Sequence, residues 1–160
     1  MKTAIFCGTF DPVTKGHLDV IKRASQLFDS LVVFVTPNSE KTTYFSAQQR
    51  LDWLKMACQE WDNVHCDIQD GLTVDAAKKV GAKFLVRGLR NSVDLGYEQN
   101  MDYMNQSIDA TLDTVCFLTK PEYMYCTSTN VRECIKYDLD FSQFVPDCVW
   151  KGWKENGNID

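Results

Sequence analysis

Five short runs of β-branched, aromatic and other apolar residues recur along this chain, and each is followed by a stretch with helical spacing. This alternation restricts the fold more than any other feature. Strands joined through helices lie parallel in one sheet, and the helices cover both of its faces. Strands are expected near Thr3–Cys7, Leu31–Thr36, Val64–Ile68, Phe84–Arg87 and Thr114–Leu118. Helices are expected near Gly16–Phe28, Ala47–Trp61, Val74–Val80, Glu98–Ile108, Ser128–Tyr137 and Pro146–Lys154. The first helix carries Leu18, Ile21, Ala24 and Leu27 at three-residue steps, an apolar stripe suited to docking on a sheet. Ser46 reads as an N-cap with Gln49 as its capping-box partner, and Gly81 as a C-cap behind Lys78-Lys79. The expected architecture is α/β: a single domain over residues 1–160 with a five-stranded parallel sheet, residues 155–160 forming a loose tail.

At 160 residues the chain can bury a substantial core in one domain. Its longest apolar runs, such as Leu31-Val32-Val33-Phe34-Val35, are far too short to span a bilayer. The N-terminus has no basic segment and long apolar run of the signal-peptide kind, so a cytoplasmic location and no membrane partner are expected. The seven cysteines form no C-x-x-C pair, which argues for reduced thiols behaving as small apolar residues. His65 and Cys66 are neighbours on a strand and point to opposite faces, so a shared metal there is not expected. A net charge of −5 speaks against a general nucleic-acid binder.

In a parallel sheet of this kind ligands bind beyond the carboxyl ends of the strands, where the strand order reverses. The residues just after each strand therefore carry the functional signal. After the first strand comes Gly8-Thr9-Phe10-Asp11-Pro12-Val13-Thr14-Lys15-Gly16-His17, a glycine turn that opens a helix and can offer backbone N–H groups to a phosphate. After the second comes a polar loop with one cation, Lys41. The fourth runs into Arg87-Gly88-Leu89-Arg90, where guanidinium forks could grip phosphate oxygens or pair with Asp94 or Glu98; phosphate contact is favoured. After the fifth, Thr127-Ser128-Thr129 and Arg132 open a second helix, more hydroxyls than an ordinary N-cap needs.

Together these motifs resemble the nucleotidyltransferase superfamily with the T/H-x-G-H signature, here Thr14-Lys15-Gly16-His17. More closely, the chain resembles the bacterial phosphopantetheine adenylyltransferases over nearly its whole length, through Gly8–Pro12, Lys41, Phe45-Ser46, Arg87–Arg90, Tyr97-Glu98, Met104-Asn105 and Thr127–Arg132. It departs from the family pattern at Cys7, Lys15, Leu95-Gly96 and Cys126–Thr129. The resemblance implies a Rossmann-like fold and transfer of AMP from ATP to 4′-phosphopantetheine, giving dephospho-CoA and pyrophosphate. It implies that His17 stabilises the transition state, with Lys41 and Arg90 assisting. ATP would be lined by Thr9, Phe10, His17, Gly88, Leu89, Arg90, Glu98 and the stretch Tyr123, Met124, Tyr125, Cys126, Thr127, Ser128 and Thr129. Phosphopantetheine would meet Thr9, Lys41, Thr73 and Arg87. Mg²⁺ would be held mainly by the ATP phosphates with no protein metal site, coenzyme A is a possible feedback ligand, and the assembly implied is a homohexamer.

The chemistry suits these residue types. A phosphate monoester is mostly dianionic near neutral pH, with a second pKa of roughly 6, so the nucleophile needs no general base. The task is to hold two anionic groups in line and offset the charge on the leaving pyrophosphate, by direct attack without a covalent intermediate. Two alternatives stay open: a related nucleotidyltransferase with another phosphate acceptor, and a nucleotide-binding module that has lost turnover.

Overall fold

The computed structural model describes residues 1–37 and 42–156, and among these the expected alternation is present. The strands are β1 (Thr3–Gly8), β2 (Ser30–Val35), β3 (Val64–Ile68), β4 (Phe84–Leu89) and β5 (Asp113–Leu118). The helices are α1 (Lys15–Leu27), α2 (Ala47–Cys58), α3 (Thr73–Val80), α4 (Ser92–Ile108), α5 (Ser128–Lys136) and α6 (Asp147–Asn156). All strand pairs are parallel, in the order β3-β2-β1-β4-β5. From β1 the chain first builds outward through β2 to β3, then crosses back to β4 and β5. The order therefore reverses between β1 and β4, and their carboxyl ends frame the crevice.

The period-2 geometry of β1 divides the core. Ala4 and Phe6 face a cluster completed by Val20 and Ile21 of α1, Leu51 and Leu54 of α2, Val131 of α5 and Val149 of α6. Ile5 and Cys7 face the other side, with Val74 and Ala77 of α3 and Leu85 of β4. Burying a side chain such as Ile21 or Leu54 contributes about 1.5–3 kcal/mol, so both layers are anchored to the strand that carries the glycine turn.

Four boundaries differ by more than one residue from the sequence expectation. The fourth strand continues to Leu89 because its register with β5 runs through Leu89 opposite Leu118, so Arg87 and Gly88 lie inside the strand. The fourth helix starts at Ser92, six residues before the expected Glu98, because Asn91 caps it by accepting from the Asp94 N–H at 3.0 Å. The second helix ends at Cys58, where the Trp61 N–H turns back to the Cys58 carbonyl. Glu155 and Asn156, expected in a loose tail, are the last residues of α6. The Ser46 cap forms, accepting from the Gln49 N–H at 3.1 Å, without the return bond from the Gln49 side chain.

Candidate active site

A cavity of about 470 Å³ opens at the β1/β4 reversal. One wall is made by the turn after β1, the start of α1 and the start of α5; the other by the end of β4 and the first turns of α4.

The α1 start shows why T-x-G-H has this spacing. Thr14 is the N-cap, and its hydroxyl oxygen accepts from the His17 N–H at 3.3 Å. His17 at the third helical position returns the bond, its Nδ1 accepting from the Thr14 N–H at 3.0 Å. This is a capping box with imidazole where glutamate or glutamine normally stands. The Thr14 hydroxyl donates onward to the Cys126 carbonyl at 2.9 Å, tying α1 to the segment before α5. Gly16 permits this approach, since a Cβ there would sit 2.8 Å from the Cys126 carbonyl oxygen.

The capping box also sets the chemistry of His17. With Nδ1 accepting a backbone N–H, the neutral ring carries its proton on Nε2, which is left as the donor for a ligand. Desolvation, followed by the charges of Arg87 and Arg90, pushes its pKa down to about 4. The ring packs edge-on against Phe10 at 4.9 Å, and Phe10 packs in turn against Phe6 at 5.4 Å. Phe10 is itself buried and has a left-handed backbone at φ 48°, unusual for a bulky residue and held there by this packing.

The turn between these elements is pinned from outside the cavity. The buried Arg50 guanidinium donates to the carbonyls of Thr9 at 2.7 Å, Thr36 at 3.1 Å and Phe45 at 3.1 Å. Burial lowers its pKa, and the neighbouring Asp11 carboxylate opposes that shift. Asp11 accepts from the N–H groups of Tyr44 at 2.8 Å and Phe45 at 2.9 Å, while its carbonyl accepts from Arg132 at 2.9 Å.

Across the cavity the cations are already paired. The Arg87 Nε–H is shared between both oxygens of the buried Glu98 carboxylate at 2.9 Å, and its Nη1 donates to the Cys7 carbonyl at 2.7 Å. Arg90 meets Asp94 through its backbone N–H at 2.9 Å and its Nε–H at 3.3 Å. The ion pairs that the sequence left as the lesser alternative are both formed, and both arginines still line the cavity.

Of the expected site residues, Thr9, Phe10, His17, Arg87, Gly88, Arg90, Glu98, Tyr123, Cys126, Thr127, Ser128 and Thr129 line this cavity. Leu89 is buried at the strand end, Tyr125 is exposed, and Met124 and Thr73 stand outside the lining. Lys41 lies outside the described residues. The three hydroxyls each have a protein partner. Thr127 caps α5, Ser128 donates to the Pro12 carbonyl at 2.8 Å, and Thr129 accepts from Arg132 at 3.3 Å. Thr127 and Thr129 only accept in these bonds, so their O–H groups stay free to donate to an anion beside the backbone N–H groups of the first turn of α5. Asp11, Thr42, Thr43, Tyr97 and Arg132 also line the cavity without having been assigned to it, and Arg50 supports it from behind. Arg132 had a local signal one turn into α5 behind the hydroxyl cluster, and Asp11 and Tyr97 stood within quoted motifs, whereas Thr42 and Thr43 had none.

Among the described residues no three His, Cys, Asp or Glu side chains converge as a metal site. The carboxylates of the cavity, Asp11, Asp94 and Glu98, are each engaged by donors. This donor set does not build a protein cage for Mg²⁺.

The cytidylyltransferase-like family profile matches residues 5–134. A curated phosphopantetheine adenylyltransferase of Lachnoclostridium phytofermentans is 46% identical over 93% of this chain and 91% of its own length. One of Streptococcus gordonii is 44% identical over 94% and 92%. The chain belongs to the phosphopantetheine adenylyltransferase family. A solved structure assigned as a nicotinate-nucleotide adenylyltransferase of Vibrio parahaemolyticus superposes with a TM-score of 0.71 at 22% identity, covering 98% of this chain and 94% of that one, which establishes the shared fold. For a phosphopantetheine adenylyltransferase of this sequence, the T-x-G-H segment is the part whose three signature residues each have a structural reason. Thr14 caps, Gly16 admits the Cys126 backbone, and His17 completes the box.

Proposed function

We propose that this chain transfers AMP from ATP to 4′-phosphopantetheine, forming dephospho-CoA and releasing pyrophosphate. The observation that carries the proposal is the His17 capping box, which leaves a neutral imidazole presenting Nε2–H between two helix N-termini in a cavity walled by arginines. An acceptor phosphate oxygen attacks the α-phosphorus of ATP in line. The new P–O bond forms as the bond to the bridging oxygen breaks, and pyrophosphate carries away the electron pair. His17 Nε2–H donates to the α-phosphoryl oxygens as charge shifts toward the leaving group. The N–H groups opening α1 and α5 hold phosphates that Arg90 and Lys41 help to neutralise. Arg87 serves the acceptor side from its pairing with Glu98. Charge neutralisation by Mg²⁺ would be supplied on the nucleotide's own phosphates, with no residue of this chain assigned to hold the ion.

The same reading extends to the surroundings of the site. Coenzyme A, which joins the pantetheine arm to an adenosine nucleotide, is proposed as a feedback ligand of this cavity. A homohexamer is proposed because α4 and β5 leave Val93, Tyr103, Ile108 and Leu118 exposed, the apolar surface a further copy of this chain would cover. No helix among the described residues is long and apolar enough to cross a membrane, and work in the cytoplasm is proposed.

The test is turnover. Purified protein with ATP, Mg²⁺ and 4′-phosphopantetheine is expected to yield dephospho-CoA and pyrophosphate in equal amounts. No product, or faster reaction with nicotinamide mononucleotide or glycerol phosphate as acceptor, would overturn the assignment. ATP binding without pyrophosphate release would leave a nucleotide-binding module.

A further inference from the structure

The cavity chemistry employs no thiol, yet two of the seven cysteines line a common cavity away from it. Cys58 is the last residue of α2 and is buried beneath it. Cys66 sits mid-way along β3, an edge strand of the sheet, half-buried on the face that packs toward the α2 layer. Both side chains belong to one core face, Cys58 buried and Cys66 the more exposed, and each thiol perturbs the ionisation of the other. A second cavity of about 380 Å³ opens onto both, with Lys55, Trp61 and Asp62 in its wall and no residue in common with the active-site cavity.

The electrostatics separate this pair from the other thiols. Interaction with Cys58 holds the Cys66 thiol below the ordinary value, and the Lys55 charge assists against the opposing effect of burial. Interaction with Cys66 and its own burial push Cys58 up. Burial pushes Cys7 up to about 12 and also raises Cys116, Cys126 and Cys148.

We propose that Cys58 and Cys66 form a peroxide-oxidisable dithiol, a modification site apart from the active site, in which Cys66 takes the first oxidation and Cys58 resolves it. The Cys66 thiolate attacks hydrogen peroxide: an S–O bond forms, the O–O bond breaks, and hydroxide leaves as water after taking a proton. The Cys58 sulfur then attacks the Cys66 sulfenic acid: the S–S bond forms, the S–O bond breaks, and a second water leaves with the Cys58 proton. Two thiols are oxidised together by two electrons and one peroxide is reduced by two. The product bridges the end of α2 to the edge strand and protects Cys66 from irreversible over-oxidation.

The sequence makes the test clean. Both cysteines fall in the single tryptic peptide Met56–Lys78, which has no internal lysine or arginine, whereas Cys148, also beside Cys58, falls elsewhere. The reduced full-length protein is treated with stoichiometric hydrogen peroxide, its remaining thiols are alkylated, and it is digested without reductant. The peptide is expected to lose two hydrogens, escape alkylation at both cysteines, and regain both thiols with dithiothreitol. In Cys58→Ser, dimedone is expected to trap a sulfenic acid at Cys66, and Cys66→Ser is expected to abolish oxidation of this peptide. An unchanged wild-type peptide while other cysteines oxidise would overturn the proposal, as would a Cys58–Cys148 cross-link. The wild-type result decides even if a serine variant folds poorly.

Discussion

The two walls of the active-site cavity are built on different principles. The α1/α5 wall is made mainly of backbone: two helix starts, a capping box and the Thr14–Cys126 bond fix its donors, and Arg132 adds a charge beside them. The β4/α4 wall is made of side chains, with Arg87 and Arg90 held by Glu98 and Asp94. Backbone donors are already aimed and lose little conformational entropy when a phosphate arrives. Arginines on flexible stems would lose more, and their carboxylate partners restrict them in advance. The burial of the partners grades this restriction. Glu98 is 6% exposed and holds Arg87 firmly, whereas the Arg90–Asp94 pair lies near the surface and is screened. The backbone wall is therefore expected to govern the chemical step, and the paired-arginine wall to govern acceptor binding.

Three substitutions sharpen or break that contrast. His17→Ala removes the Nε2–H donor and is expected to lower kcat by about 100- to 1,000-fold, roughly 3–4 kcal/mol as for a lost oxyanion donor. Steady-state kinetics showing near-normal turnover would remove the backbone wall from the chemistry. Gly16→Ala drives a Cβ into the Cys126 carbonyl and is expected to cost about 1–3 kcal/mol of stability, read by urea unfolding. An unchanged midpoint would mean that α1 and α5 are not locked together. Glu98→Gln keeps an acceptor for Arg87 but loses the charge. It is expected to raise KM for 4′-phosphopantetheine about fivefold, for a loss of about 1 kcal/mol, with kcat nearly unchanged. A fall in kcat at constant KM would reverse the division of labour between the walls.

The strands are legible in the sequence because parallel strands covered on both faces read as continuous apolar runs, Leu31–Val35 being the clearest. The cavity is legible through residues at strand ends, since topology alone brings Gly8–His17, Arg87–Arg90 and Thr127–Arg132 together. Pairings are less so. Arg50 stands between Gln49 and Leu51 in a helix with no local sign of its buried role, because its carbonyl partners Thr9 and Thr36 are remote in sequence. Asp11-Pro12 reads as turn punctuation, whereas the Asp11 carboxylate binds the N–H groups of Tyr44 and Phe45 more than thirty residues away. The protonation state of His17 was equally hidden. It depends on a backbone N–H reaching Nδ1, on burial of the ring, and on two arginines at the end of another strand.

That protonation state carries a pH signature with a definite sign. The folded-state pKa of His17, about 4, lies below its ordinary 6.5, so the unfolded chain binds the extra proton first. Its contribution to stability is complete above about 6.5 and is lost as pH falls toward 4. The most direct test is ¹⁵N NMR of the two histidines, with His17 assigned by its absence in His17→Ala. His17 is expected to stay neutral and protonated on Nε2 from pH 8 down to pH 5.5, and to titrate only near 4. A midpoint at or above 6.5, or a proton on Nδ1, would contradict a neutral imidazole as the donor to the transferring phosphoryl group.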